Sequence, residues 1–409
     1  MSVDHNPFDR HFDSLESIAD TISEVVQCPV TIEDASHKLL AYSSHDPETD
    51  PARIATIIGR RVPENVISAL WKEGIIQQIM TSHEPIRISQ ISEVGLGDRI
   101  AIAIRNNQDV LGYIYILDNN QRTNETSLQL LQQAAQAART KLVQLQTQNR
   151  KQEQHHHDFF WHLLTHKNPS EPETKERASQ LGISLPPRYQ VIVLEFETDI
   201  NEKLNQQIQY TIRTVQQIRI ALHVIHNNRL IMMCAPGVGK HAELQYKDEC
   251  SKFITQLKLR FGAVPVRRGG GLFYEQYVFV EKSYQEALVV IQMGNTYPEA
   301  LSGIYDYNEL GYYRYLPTLV VDRERKPIIN ESLHRLRQYD EEHNSDLSYT
   351  LEIFLNQDSN VKKAAEVLHV HTNTLMYRLK RVMEIGDIDL NNMDQKVTMY
   401  LELKLNKWK

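Results

Sequence analysis

Asn360-Val361-Lys362-Lys363-Ala364-Ala365-Glu366-Val367-Leu368-His369-Val370-His371-Thr372-Asn373-Thr374-Leu375-Met376-Tyr377-Arg378-Leu379-Lys380-Arg381-Val382 reads as two helices joined by a tight turn. In the first helix Val361, Ala364, Ala365 and Leu368 fall at the i, i+3, i+4, i+7 spacing of a buried stripe, and the alanines let a neighbour approach closely. After a turn at His369 and Val370, Thr372 is the expected N-cap of a second helix that buries Leu375, Leu379, Val382 and Met383. At about 100° per residue, Thr374, Tyr377, Arg378 and Arg381 form a separate stripe of hydroxyl, aromatic and guanidinium groups. Such groups contact base edges and phosphates. A merely solvated basic face has the same periodicity, so charge must separate the readings. From Lys362 to Arg381 there are five basic residues (Lys362, Lys363, Arg378, Lys380, Arg381) against one acidic residue, Glu366, on a chain of net charge −7. A positive island on an acidic chain points to a local anionic partner.

The run Ala364 to Leu379 also closely resembles the C-terminal helix-turn-helix of the PucR/CdaR family of bacterial transcription regulators. There an H-x-N-T-L-x-Y-R-L core opens the recognition helix, and His371 to Leu379 matches it without departure. The resemblance implies operator DNA as the partner. The expected DNA-binding residues are His371, Thr372, Asn373, Thr374, Tyr377, Arg378, Lys380 and Arg381.

A chain of 409 residues exceeds one ordinary core, and at about 100 to 200 residues per domain two to four are expected. Hydrophobic content of 41% and charged content of 24% are those of a globular protein. No apolar run approaches the roughly 18 residues of a membrane helix, and Met1 to Arg10 is polar and acidic, unlike a signal peptide. The expected location is cytoplasmic, with no membrane partner. Cys28, Cys234 and Cys250 lack paired metal spacing and sit in apolar surroundings, so buried structural thiols in a reducing compartment are expected.

Residues 1–122 open with a helical stripe, Phe12 to Val26. Two short strands, Pro29 to Asp34 and Lys38 to Tyr42, then read as a hairpin, and helices follow at Pro51 to Arg60 and Pro63 to Met80, each with proline in its first turn. Strands at Pro85 to Ile88, Arg99 to Ile104 and Val110 to Leu117 complete the region, the last two around a polar loop at Arg105 to Asp109. This order resembles a GAF/PAS-like sensor, which cups a small ligand between sheet and helices and commonly occupies the N-terminus in the family. Tyr42, Trp71, Arg99 and Tyr113 are the ligand-binding candidates, since aromatic walls with one guanidinium suit a small carboxylate. Core aromatics and a solvated arginine are the alternative.

Residues 123–185 form a helical linker. Leu128, Leu131, Ala135, Ala138, Leu142 and Leu145 make a narrow seam suited to a dimer coiled coil, so a homodimer or higher homo-oligomer is expected. His162 and His166 lie one turn apart, but no glutamate between them and no further ligand pattern supports a metal site. A break follows at Asn168 to Pro172.

Residues 186–315 read as an α+β domain of β-α-β-β-α-β order, with strands at Gln190 to Phe196, Ala221 to Ile225 and Arg229 to Met233 and helices at Asn201 to Gln217 and Ala242 to Phe261. The family carries a degenerate GGDEF-like domain in this place. Where active diguanylate cyclases hold an acidic glycine-rich turn, this chain has His226-Asn227-Asn228, so no cyclase chemistry, catalytic residue or cofactor is expected. Pro236 to His241 imitates a phosphate loop but fails at Cys234 and His241, where glycine and Ser/Thr are required. Arg267-Arg268-Gly269-Gly270-Gly271 is expected as a flexible basic loop.

Residues 316–409 are expected to be all helical, entered through a hinge at Leu316-Pro317 and closed by a helix carrying Val397, Leu401, Leu405 and Trp408. The fold class is multidomain α+β: sensor, degenerate GGDEF-like domain and C-terminal helix-turn-helix. The function read from the chain is a ligand-responsive transcription regulator, an activator of catabolic genes. In layout it is closest to regulators of proline utilisation, with proline as effector; purine or sugar-acid sensing stays open. A cyclic-nucleotide enzyme and an interaction scaffold are the readings of other classes.

Overall fold

The computed structural model describes residues 7–43, 49–118, 123–166, 170–215, 218–237, 242–325 and 329–408. The phosphate-loop imitation lies largely outside them. The chain divides into two compact units, Met1–Leu288 and Val289–Lys409.

In the first unit the Ser14 side chain accepts from the Ser17 N–H and Ser17 returns the bond, a capping box that starts α1 (Leu15–Val26). Then come β1 (Val30–Asp34), β2 (Leu39–Tyr42), α2 (Pro51–Gly59), α3 (Glu64–Lys72), α4 (Ile75–Thr81), β3 (Ile86–Ile88), β4 (Arg99–Asn106) and β5 (Asp109–Leu117). The helix expected over Pro63 to Met80 is two helices. Gly74, at φ 73°, adopts a left-handed conformation that costs glycine little, and Pro63 is an N-cap rather than a first-turn residue. The strands pair in the antiparallel order β2-β1-β5-β4-β3.

Strand alternation sorts this sheet into two faces. Val30, Ile32, Ile100, Ile102, Ile104, Ile114 and Ile116 pack with α1 into one core. Ala101, Ala103, Tyr113 and Tyr115 face the other way, toward α3 and α4. The 41-residue helix α5 (Glu125–Thr165) follows. Leu131, Ala135, Ala138 and Leu142, the expected coiled-coil seam, are buried in the first core against α1 and the sheet. An isolated periodic stripe states that a helix face is covered, and here the same chain covers it. Farther along, α5 buries Phe159, Phe160, Leu163 and Leu164 and lies along β7 of the next sheet.

After α6 (Glu171–Gln180) come β6 (Gln190–Glu195), α7 (Glu202–Thr214), β7 (Arg219–His226), β8 (Arg229–Ala235), α8 (Ala242–Phe261), β9 (Arg267–Gly270) and α9 (Val280–Thr296). The sheet order β7-β8-β6-β9 and the β-α-β-β-α-β sequence match the expected topology. The glycine-rich stretch is no flexible loop: Arg267 to Gly270 pair with Glu195 to Ile192. Its last glycine answers a packing demand. A Cβ on Gly271 would lie 2.0 Å from the Ser283 carbonyl oxygen of α9, far inside contact distance. Replacing Gly271 with Ala should cost about 1–3 kcal/mol through overpacking, measurable as a lower urea midpoint. An unchanged midpoint would mean that α9 can move aside.

In the second unit a 3-10 segment, Tyr307–Tyr315, is kinked at Gly311. It runs into α10 (Leu316–Arg325), so Leu316-Pro317 begins a helix rather than forming a hinge, with Leu316 buried. α11 (Glu331–His343), α12 (Leu347–Asn356), α13 (Val361–Val367), α14 (Thr372–Gly386) and α15 (Met393–Leu405) complete the unit. One core joins Leu333 and Leu336 to Leu351, Phe354, Ala364, Leu375, Leu379, Val382 and Leu403. The last segment is helical as expected, but Val397 is exposed and Trp408 lies beyond the end of α15.

Candidate nucleic-acid interface and effector face

The helical pair at 361–386 is built by local chemistry. Asn360 caps α13 by accepting from the Lys363 N–H at 3.1 Å. His369, at φ 52°, makes the left-handed turn. His371, rather than Thr372, caps α14, its Nδ1 accepting from the Asn373 N–H at 3.2 Å. Thr372 is the first helical residue, and Asp387, at φ 53°, ends the helix. From α11, Arg335 donates to the Gly386 carbonyl at 2.8 Å, placing a cation at the helix C-terminus where the backbone dipole favours it.

Ala364, Ala365, Leu375, Leu379 and Val382 are buried as expected. Opposite them the outermost line of α14 is Asn373, Tyr377 and Lys380, an i, i+4, i+7 ridge that differs from the stripe read from sequence. Tyr377 is 65% exposed and Met376 54%, and His371 and Thr374 are exposed beside them. Arg378 is half-buried. Arg381 is tethered within the unit, donating to the Tyr339 hydroxyl at 3.1 Å and to Glu384 at 2.9 Å, with its guanidinium 5.5 Å from the Tyr339 ring centroid. It therefore braces α14 against α11 in this structure.

Asp340 organises the turn between α11 and α12. It accepts from the Ser345 hydroxyl and the Leu347 N–H, each at 2.7 Å, and from the Ser348 N–H at 2.8 Å. Burial by itself would raise its carboxyl, but these bonds prevail and hold it below the ordinary aspartate value. With the folded-state value depressed, the stabilisation is present above the unfolded-state pKa of about 3.9 and is lost as pH falls below it. Asp340→Ala should cost the second unit about 1–2 kcal/mol at neutral pH and reduce its acid sensitivity below pH ~4. Denaturation curves at pH 7 and pH 3 check this; parallel losses for variant and parent would contradict it.

The four ligand candidates do not converge on one site. Trp71 is buried, its indole N–H donating at 2.9 Å to the Tyr210 hydroxyl of α7. Tyr113 is stacked on His37, the ring centroids 4.9 Å apart, and its hydroxyl has no hydrogen-bond partner. Tyr42 is half-buried on the edge strand β2. Arg99 is paired with Asp50 at 2.5 Å and lines a small cavity between α2 and the sheet. Thr31, Glu33, Arg53, Thr56 and Tyr115 line it too, and sequence reading missed all of them. One signal was available: Thr31 pairs with Tyr115 and Glu33 with Tyr113, which puts these polar groups on a single face.

A compact helical pair, a buried alanine-leucine seam and an exposed polar ridge define a helix-turn-helix protein. Residues 347–405 match the PucR C-terminal helix-turn-helix domain, and residues 166–293 match the GGDEF-like domain. The "DNA-binding transcriptional activator AdeR" of Bacillus subtilis (strain 168) is 42% identical over 405 residues, covering 99% of this chain and 96% of the relative. The "Proline-responsive transcriptional activator PutR" of the same organism is 29% identical, covering 97% of this chain and 98% of its own. The "Purine catabolism regulatory protein", also from that organism, is 22% identical over 98% of this chain and 73% of its own. The chain belongs to the PucR family of transcription regulators, with a GGDEF-like middle domain and a C-terminal helix-turn-helix. No helix of the described residues is long and apolar enough to cross a membrane.

Proposed function

We propose that this protein is an effector-responsive, DNA-binding transcription activator working in the cytoplasm. Residues 1–122 form a GAF/PAS-like sensor, 123–185 a helical relay, 186–315 a non-catalytic GGDEF-like domain and 316–409 the DNA-binding domain. The carrying observation is the exposed Asn373-Tyr377-Lys380 ridge of α14, set opposite a buried seam on a locally basic hairpin. In a helix-turn-helix the N-terminal residues of the second helix reach base edges while flanking groups hold the backbone. Asn373 and Thr374 thus read bases, Tyr377 and Arg378 contact base or sugar edges, and Lys380 holds phosphate. His371 and Thr372 lie at the phosphate-facing helix start. Arg381 reaches DNA only by exchanging its Tyr339 and Glu384 contacts.

The name of the 42% identical relative supports activation. Proline as effector is supported by the name of the 29% identical relative, with purine or sugar-acid sensing as the alternative. A sheet cupped by α2, α3 and α4 supports the sensor reading. The tight His226-Asn227-Asn228 turn, whose His226 packs on Trp161 with ring centroids 4.6 Å apart, supports a middle domain that relays rather than catalyses. Self-association as a dimer would present two helix pairs to a symmetric operator.

The test is fluorescence anisotropy on duplexes from upstream of the protein's own and neighbouring genes, against random duplex, over a salt series. Specific binding should be steeply salt-dependent. Asn373→Ala should cost about 1–3 kcal/mol on operator and little on random duplex. Lys380→Ala should weaken both alike and lower the salt slope by about one. Equal affinity for operator and random duplex in the parent protein would overturn the reading.

A further inference from the structure

The cavity between α2 and the sheet carries an unusual set of groups. Arg53 is 4% exposed and Tyr115 4% exposed. The Arg53 Nε and the Tyr115 hydroxyl both lack a hydrogen-bond partner. An unsatisfied buried donor costs about 1–3 kcal/mol, so two of them at one cavity need a reason. Arg99 adds a second guanidinium at the same wall. Asp50 bonds Arg99 and, through the Arg53 and Gly97 N–H groups, also holds the start of α2. Glu33 lines the same cavity but is turned to His37, its carboxylate 3.2 Å from Nδ1, and burial raises its carboxyl even against that bond. Arg53 is in turn lowered to about 10, first by burial and then by Arg99. Arg99 is held by Asp50 and Arg53 by the Ser43 carbonyl through one Nη, at 3.2 Å, so the unpartnered Arg53 Nε and Tyr115 hydroxyl are the donors that an anion would complete.

We propose that this cavity is an effector site for a small carboxylate, held by the Arg53 and Arg99 guanidinium groups and the Tyr115 hydroxyl. The inference rests on the reading of residues 1–122 as a sensor and assigns that sensor its binding groups. The cavity measures ≈ 10 Å³, room for about one water, so the ligand enters only as α2 moves outward. An incoming carboxylate competes with Asp50 for Arg99 and so loosens the N-cap of α2. Just past the other end of α2, Arg61 donates to the Ser36 carbonyl at 2.9 Å and to the Arg213 carbonyl of α7 at 2.7 Å. Displacement of α2 therefore pulls on the middle domain.

The experiment uses the full chain, with thermal denaturation and titration calorimetry against four probes: sodium lactate, sodium pyruvate, glycine and proline. Sodium chloride and lactamide are the controls. At least one probe should raise the melting temperature where the controls do not; lactate or pyruvate alone would mark a hydroxy- or keto-acid site, glycine or proline an amino-acid site. Tyr115→Phe removes only an unpartnered hydroxyl, so it should keep the parent melting temperature yet weaken the probe about tenfold. Arg53→Gln should weaken it about a hundredfold, and if that variant does not fold, Tyr115→Phe alone decides. No shift of the parent protein beyond the controls, or undiminished binding by Tyr115→Phe, overturns the site. Operator binding measured on the same sample separates the outcomes, since its survival leaves the regulator reading standing while the site falls.

Discussion

One buried hydroxyl links the N-terminal sheet to the middle domain. The Tyr210 oxygen on α7 accepts from the Trp71 indole at 2.9 Å and meets His37 Nε2 at 3.1 Å, while His37 Nδ1 meets Glu33 at 3.2 Å. Tyr210, Trp71 and Phe261 stack edge to face around it. Each of these polar atoms is removed from water, where a missing partner is costly and a complete network rigid. The N-terminal sheet and the middle domain therefore meet through directional bonds as well as apolar contact. Such a junction has preferred geometries and does not slide freely.

The helix-turn-helix divides its labour by face. Its apolar side is fixed by alanines and leucines that admit one packing distance, and its ends are fixed by His371, Asp387 and Arg335. With both axis and ends determined, the exposed ridge has no packing duty of its own. Asn373, Tyr377 and Lys380 can change without unfolding the unit, so the chemistry of this exposed face can diverge while the scaffold stays constant.

Much of this was legible in the sequence because it is written in short-range patterns. Strand alternation, the Asn227 and Asn107 turns, the α14 seam and the β-α-β-β-α-β order of the middle domain all follow from neighbours in the chain. The misreadings share a cause. The α5 stripe, the Arg267 to Gly271 run and the Leu316-Pro317 junction depend on what approaches from elsewhere: α1, Ser283 and the second-unit core. The bonds from Trp71 to Tyr210 and from Arg381 to Tyr339 are likewise made by the fold and leave no trace in local spacing. Arg53 and Tyr115 escaped because a buried arginine on a helix and a core tyrosine on a strand have ordinary spacing; their idle atoms are visible only in three dimensions.

The long helix α5 has one more property, which concerns phase. From Leu142 to Phe160 is 18 residues, about five turns at ~3.6 residues per turn, so its two buried patches lie on the same side of the helix although the stretch between them is largely solvated. One inserted residue would rotate the far patch by about 100° and bring Asp158 and His162 to where Phe159 and Leu163 belong. Inserting two whole turns would restore the phase but lengthen the helix by about 10 Å, which the bonds at Tyr210 forbid. The spacing is thus fixed twice, by angle and by distance, and α5 serves as the molecule's ruler.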